Sequence, residues 1–175
     1  AKEYPDRFFN AGIAEQNCIG MAAGLACMGK TVFASSFAMF ITGRTWEQVR
    51  NSVCSPKLNV KICATHAGIT VGEDGSSHQA LEDIALMRIL PNMRVLVPAD
   101  AIEVEQMIKY VSETPGPFYV RMSRSATPLI LDKIDYQFTL GKNKVLKEGT
   151  DVTIMATGIM VKVALEAAEM LDKEQ

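Results

Sequence analysis

Two histidines, His66 and His78, flank one short loop, His66-Ala-Gly-Ile-Thr-Val-Gly-Glu-Asp-Gly-Ser-Ser-His78-Gln79, which also holds the acidic pair Glu73 and Asp74. Imidazoles and carboxylates supply hydrogen bonds and proton transfer. Gly68, Gly72, Gly75 and the two serines permit tight turns and close approach of the backbone to a ligand. The plainer alternatives are a turn-stabilising Asp74 and histidines satisfied within the loop. A metal site is a weaker rival, because no His-x-x-x-His spacing occurs.

Three further groups stand out. Glu15, in Gly12-Ile-Ala-Glu15-Gln-Asn17, opens an apolar helix. It is either a first-turn acid favoured by the helix dipole or a buried acid able to share a proton with a ring nitrogen. Phe33, Phe37 and Phe40 cluster at a strand-to-helix junction, either as core or as a surface for a flat ring-shaped ligand. Arg121 and Arg124 end a predicted strand, where each is an anion clamp or an ion-pair partner.

The elements that must position these groups alternate. Residues 14–28 are expected to form a helix buried on several sides, and 31–35 a strand. Residues 41–54 carry Trp46, Val49 and Val53 at helical spacing, closed by Pro56. A strand over 59–65 leads directly into the histidine loop. Beyond it come a helix over 81–89, a strand over 94–97, a helix over 101–112 capped by Asp100, and a strand over 118–122. This order predicts an α/β fold with a parallel sheet covered by helices on both faces, where ligands gather at the carboxyl ends of strands. Residues 125–150 read as a connection with Pro128 and scattered charge. Residues 151–157 and 161–171 then read as a strand and a helix opening a second α/β domain that the chain does not complete. The first helix also lacks the preceding strand of a βαβ unit, so a fragment cut at both ends is expected.

Composition narrows the classes. The 175 residues are 48% hydrophobic and 22% charged, with a net charge of -2. This balance suits a soluble globular protein and offers no basic field for nucleic acid. The stretch 16–43 carries one charge, Lys30, but its polar residues and glycines interrupt it too often for a membrane span. No signal peptide is evident. Cys18, Cys27, Cys54 and Cys63 lie far apart without Cys-x-x-Cys spacing, which fits buried reduced thiols in a cytoplasmic protein.

Taken together, Gly12-Ile-Ala-Glu15-Gln-Asn17, Ser35-Ser-Phe37-Ala-Met-Phe40, His66 with Gly72-Glu-Asp74-Gly-Ser-Ser-His78-Gln79, Leu90-Pro-Asn-Met93 and Pro98-Ala-Asp100 resemble transketolase in order and spacing. The similarity covers roughly residues 1–125, the pyrimidine-binding domain. A linker over 126–150 and the incomplete start of the C-terminal domain over 151–175 follow. The whole resembles the C-terminal subunit of a split, two-chain transketolase. The resemblance implies a three-layer αβα thiamine diphosphate-binding fold and transfer of a two-carbon ketol unit from a ketose phosphate to an aldose phosphate. Glu15 then matches the acid on the aminopyrimidine N1′ nitrogen, and Phe37 and Phe40 match aromatics around that ring. His66, Asp74 and His78 match groups facing the sugar hydroxyls and the developing oxyanion. Arg124 matches a phosphate-binding arginine.

Two positions depart from the family pattern. Gly43 stands where a tyrosine is frequent beside the pyrimidine, and Asp-Gly-Ser-Ser-His replaces Asp-Gly-Pro-Thr-His. No Gly-Asp-Gly motif for the diphosphate occurs. The resemblance therefore implies that the diphosphate and its Mg2+ or Ca2+ are held by an N-terminal partner subunit, in a dimer or heterotetramer with sites at subunit interfaces. The alternatives are 1-deoxyxylulose-5-phosphate synthase, which shares Gly-Ile-Ala-Glu-Gln and Asp-Gly-x-x-His segments, and a noncatalytic subunit that has kept the fold.

Overall fold

A computed structural model describes residues 2–174. Four strands, β1 (Val32–Ala34), β2 (Val60–Ala64), β3 (Arg94–Leu96) and β4 (Phe118–Arg121), form one sheet in the order β1-β2-β4-β3. Every pairing is parallel. β2 lies inside the sheet and all five of its residues are buried, the near-continuous apolar pattern expected of a strand covered on both faces.

Side-chain alternation sorts the core into two layers. Val60, Ile62 and Ala64 of β2 and Tyr119 of β4 pack with Ile19, Ala22, Ala23 and Ala26 of helix α1 (Glu15–Cys27) and Met87 of helix α3 (Asp83–Arg88). Cys63, Phe118 and Val120 point the other way, onto Met107 and Val111 of helix α4 (Ala101–Glu113). Helix, sheet and helix thus form the expected three layers.

The helix expected over 41–54 is present but wound differently. It runs as π-helix over Met39–Arg44, one α turn at α2 (Trp46–Gln48), and π-helix again over Val49–Cys54. Thr42 Oγ1 donates to the Ala38 carbonyl at 2.7 Å and Thr45 Oγ1 to that of Ile41 at 2.5 Å. These hydroxyls bond the i−4 carbonyls along the first π-helical run.

Asp100 does more than cap α4. Its Oδ1 accepts from the Ile102 and Glu103 amides, and its Oδ2 accepts from Ile130 at 2.8 Å and Leu131 at 2.9 Å. A single buried carboxylate therefore pins the connecting segment to the helix start. Burial acts to raise its pKa, but the four amides outweigh it and hold the value below the usual 3.8. The unfolded chain then takes up the proton first as pH falls. The stabilisation is complete at neutral pH and is lost below about 3.8 as pH drops through the folded value. Asp100→Ala is expected to cost about 2–4 kcal/mol, from the lost cap and the stranded amides. Urea unfolding at pH 7 measures this, and acid titration of the variant should lack the corresponding low-pH loss.

Three expectations are corrected. Only one face of α1 is covered within the chain: Glu15, Ile19, Ala22, Ala23 and Ala26 are buried, while Gly20, Met21 and Gly24 lie open. Apolar content around a helix does not supply the neighbours that bury it. Cys27, on that open side, is exposed; Cys54 and Cys63 are buried as expected, and burial pushes their thiols up to about 12 and about 11. Residues 151–157 form no strand. Val152, Ile154 and Met155 are exposed, and no strand among the described residues pairs with them. The segment is followed by helix α5 (Met160–Leu171), which has no buried residue. Gly158 joins the two at φ +60, where a Cβ would come within 2.9 Å of Val97 Cγ1.

Candidate active site

β1 and β2 end side by side, and their pairing continues past the strands. The Ala38 amide donates to the Thr65 carbonyl at 2.7 Å and the Thr65 amide to that of Ser36 at 3.2 Å. This fixes Phe37 against His66, with ring centroids 3.9 Å apart and planes 23° from parallel. His66 adopts φ +60, a left-handed conformation uncommon outside glycine. Its Nδ1 lies 2.9 Å from Thr65 Oγ1.

The loop returns His78 to the same rings. Two short 3-10 turns, Gly72–Asp74 and Ser76–His78, meet at Gly75. Gly75 has φ 74 and ψ −170, a region essentially reserved for glycine. His78 then stands edge-on to Phe40 at 5.1 Å and to Phe37 at 5.9 Å, with Nδ1 2.9 Å from Ser77 Oγ. Phe33 is 45% exposed and takes no part in this ring cluster.

Glu15 closes the other side. It is buried at the first residue of α1, so it is both the helix-start acid and the buried acid that the sequence left as alternatives. Arg44 Nη1 donates to Oε2 at 2.7 Å, and Ser36 Oγ donates to Oε1 at 3.3 Å. Burial acts to raise the Glu15 pKa, but its own backbone amide, Arg44 and Ser36 together bring it below the usual 4.5. The Arg44 guanidinium also lies over the Phe40 ring, 4.8 Å from its centroid. A Cβ at Gly43 would meet only Met39 Cε at 3.9 Å, so the wall at that position is open.

The two arginines have separate partners. Arg121 is drawn under the loop, where Nε donates to Asp83 Oδ2 at 2.7 Å beside the Tyr119 hydroxyl on the same oxygen. It is a largely buried partner of the wholly buried Asp83. Arg124 Nη1 bonds the Val71 carbonyl and faces Asp74 Oδ2 at 3.1 Å, with Glu73 farther off at 3.9 Å. Asp74 and Arg124 therefore pair with each other on the loop.

Glu15, Phe37, Phe40, His66 and His78 thus converge at the carboxyl ends of β1 and β2. Ser36 and Arg44 are the members that sequence reasoning missed. Arg44 carried a signal, being the first charged residue after the nearly uncharged stretch 16–43. Chemically, the arrangement offers a buried carboxylate, aromatic faces and two imidazoles at the ends of two neighbouring strands.

A parallel-sheet α/β domain with this site at its strand ends matches the transketolase pyrimidine-binding domain model over residues 1–129, and residues 141–175 match the transketolase C-terminal domain. The chain belongs to the transketolase family, whose members depend on thiamine diphosphate. It is 59% identical over 172 residues to a putative transketolase C-terminal section of Methanocaldococcus jannaschii, covering 98% of this chain and 54% of that protein. It is 41% identical over 171 residues to an apulose-4-phosphate transketolase subunit of Phocaeicola vulgatus, covering 98% of this chain and 55% of that protein. A solved structure described as a split gene transketolase, inactive beta4 tetramer, superposes with TM-score 0.90 at 57% identity, covering 99% of this chain and 56% of that one. The chain spans about half the length of these relatives.

Proposed function

We propose that this chain is the pyrimidine-binding part of a two-chain transketolase, acting with an N-terminal subunit in the transfer of a two-carbon ketol unit between sugar phosphates. The observation that carries the reading is the buried Glu15 carboxylate beside the Phe37 and Phe40 rings at the strand ends. Those groups suit an aminopyrimidine. A carboxylate can bond a ring nitrogen, aromatic faces can stack on the ring, and Ser36 steadies the second carboxylate oxygen. Thiamine diphosphate, when bound, supplies the carbon nucleophile that carries the ketol unit.

In this reading Glu15 holds a proton at N1′. His66 and His78, fixed against the phenylalanine rings, bond the sugar hydroxyls and the oxygen where negative charge develops. Asp74 orders the loop and faces the substrate. Arg124 binds substrate phosphate after exchanging its contact with Asp74 for the stronger anion. The diphosphate and its Mg2+ or Ca2+ fall to the N-terminal partner, with self-association as a dimer or heterotetramer. The pyrimidine domain takes in about residues 1–125, the linker 126–150, and the C-terminal domain begins near 151. The four free thiols fit a cytoplasmic setting.

The name of the Phocaeicola vulgatus relative ties that protein to apulose 4-phosphate, so the sugar accepted here is to be measured. The test mixes this chain with its N-terminal subunit, thiamine diphosphate and Mg2+, and offers xylulose 5-phosphate or pyruvate with an aldose phosphate acceptor. Turnover of the ketose phosphate is expected. Consumption of pyruvate with release of carbon dioxide would instead identify a deoxyxylulose phosphate synthase. Silence with every ketose phosphate would indicate a noncatalytic subunit.

A further inference from the structure

The contacts of Arg44 coincide with those that the proposed function gives to the cofactor ring. Its guanidinium bonds the Glu15 carboxylate at 2.7 Å and covers the Phe40 face at 4.8 Å. Like an aminopyrimidine, a guanidinium is planar, stacks on aromatic rings and presents N–H groups along its edge. One ring face and one carboxylate edge cannot serve two planar groups at once.

The two partners differ in freedom. The Glu15 side chain is 7% exposed and fixed in the first turn of α1, whereas that of Arg44 is 48% exposed. Among the described residues Glu15 is the only carboxylate in an ion pair with Arg44, and the guanidinium has no hydrogen-bond acceptor besides it. Gln16 Nε2 reaches only the Arg44 carbonyl, at 3.4 Å. The open space at Gly43 leaves room beside the helix for the arginine to move. Glu15 cannot leave this contact, and Arg44 can.

We propose that Arg44 is a built-in placeholder, which occupies the aminopyrimidine position on Glu15 and Phe40 until thiamine diphosphate displaces it. This rests on the function proposed above. While the site is without cofactor, the arginine supplies a counter-charge to a carboxylate that burial would otherwise penalise. Its departure removes that counter-charge and eases protonation of Glu15, the state needed for a proton held at N1′. The apparent cofactor affinity is then the intrinsic affinity multiplied by the fraction of molecules whose arginine has already swung away.

The test measures thiamine diphosphate binding by calorimetry in the assembled two-chain protein with Mg2+. The comparison is between the native chain, Arg44→Met, which keeps an apolar stem, and Arg44→Lys, which keeps the charge without the planar fork. Arg44→Met is expected to bind about 3- to 10-fold more tightly, corresponding to a competent fraction of about 0.1–0.3 in the native protein. Arg44→Lys should fall between the two. In the native assembly, the Arg44 side-chain nitrogen resonance, assigned by its loss in Arg44→Lys, should move on adding cofactor to the position of a solvated arginine. Equal or weaker binding by Arg44→Met, with an unmoved resonance, would mean that Arg44 stays on Glu15 in the bound state and would overturn the proposal. Failure of all three proteins to bind would overturn the thiamine reading itself, and the placeholder with it.

Discussion

Glu15→Gln, assembled with the N-terminal subunit and saturated with thiamine diphosphate, is expected to lose about 10²- to 10⁴-fold in ketol transfer, the range associated with removal of a positioned acid–base group. The amide is nearly isosteric and its oxygen can still accept from Arg44, so the fold should survive and circular dichroism should be unaltered. What disappears is the exchangeable proton at the ring nitrogen. Near-normal turnover would remove Glu15 from cofactor activation. The same variant has a stability signature. Because the folded pKa of Glu15 lies below the usual 4.5, acidification protonates the unfolded chain first. The ion pair thus contributes fully near neutrality, and that contribution is lost as pH falls from about 4.5 through the folded value. Glu15→Gln should flatten this part of the stability profile.

Asp83→Ala is expected to destabilise the fold by about 3–5 kcal/mol, as measured by urea unfolding. The Asp83 side chain is wholly buried, and its Oδ2 accepts from both the Tyr119 hydroxyl and Arg121 Nε at 2.7 Å. Removing it leaves a largely buried guanidinium and a phenol without their acceptor. The damage should reach the histidine loop, because the Arg121 Nη2 atom lies only 3.2 Å from where a Cβ would stand on Gly68. A variant as stable as the native chain would show that the arginine finds water or another carboxylate at no cost.

The sheet was legible because its strands are short, mainly apolar and β-branched or aromatic runs, closed by turn residues and separated by helical spacing. The π-helical winding was not. Periodicity reports which face of a helix is apolar, not which carbonyl each amide reaches. Residues 151–157 have strand-like composition, but a strand exists through its ladder, and no described neighbour supplies one. Glu15, Phe37, Phe40, His66 and His78 could be nominated from residue type and local spacing, and the continued pairing of β1 and β2 brings them together. Arg44 and Asp83 could not be assigned in this way. Their partners lie 29 and 38 residues away, and only the closed sheet sets those distances. The same cause sends Arg121 into the protein, although in sequence it looks as available to a substrate as Arg124.

The central claim is that this chain carries only the pyrimidine-facing half of a cofactor site. The most direct measurement is a calorimetric titration of thiamine diphosphate and Mg2+ into the chain, alone and after mixing with the N-terminal subunit. Little or no heat is expected from the isolated chain, and saturable binding of one cofactor per pair of unlike subunits once the partner is added. Tight, stoichiometric binding by the isolated chain would contradict it.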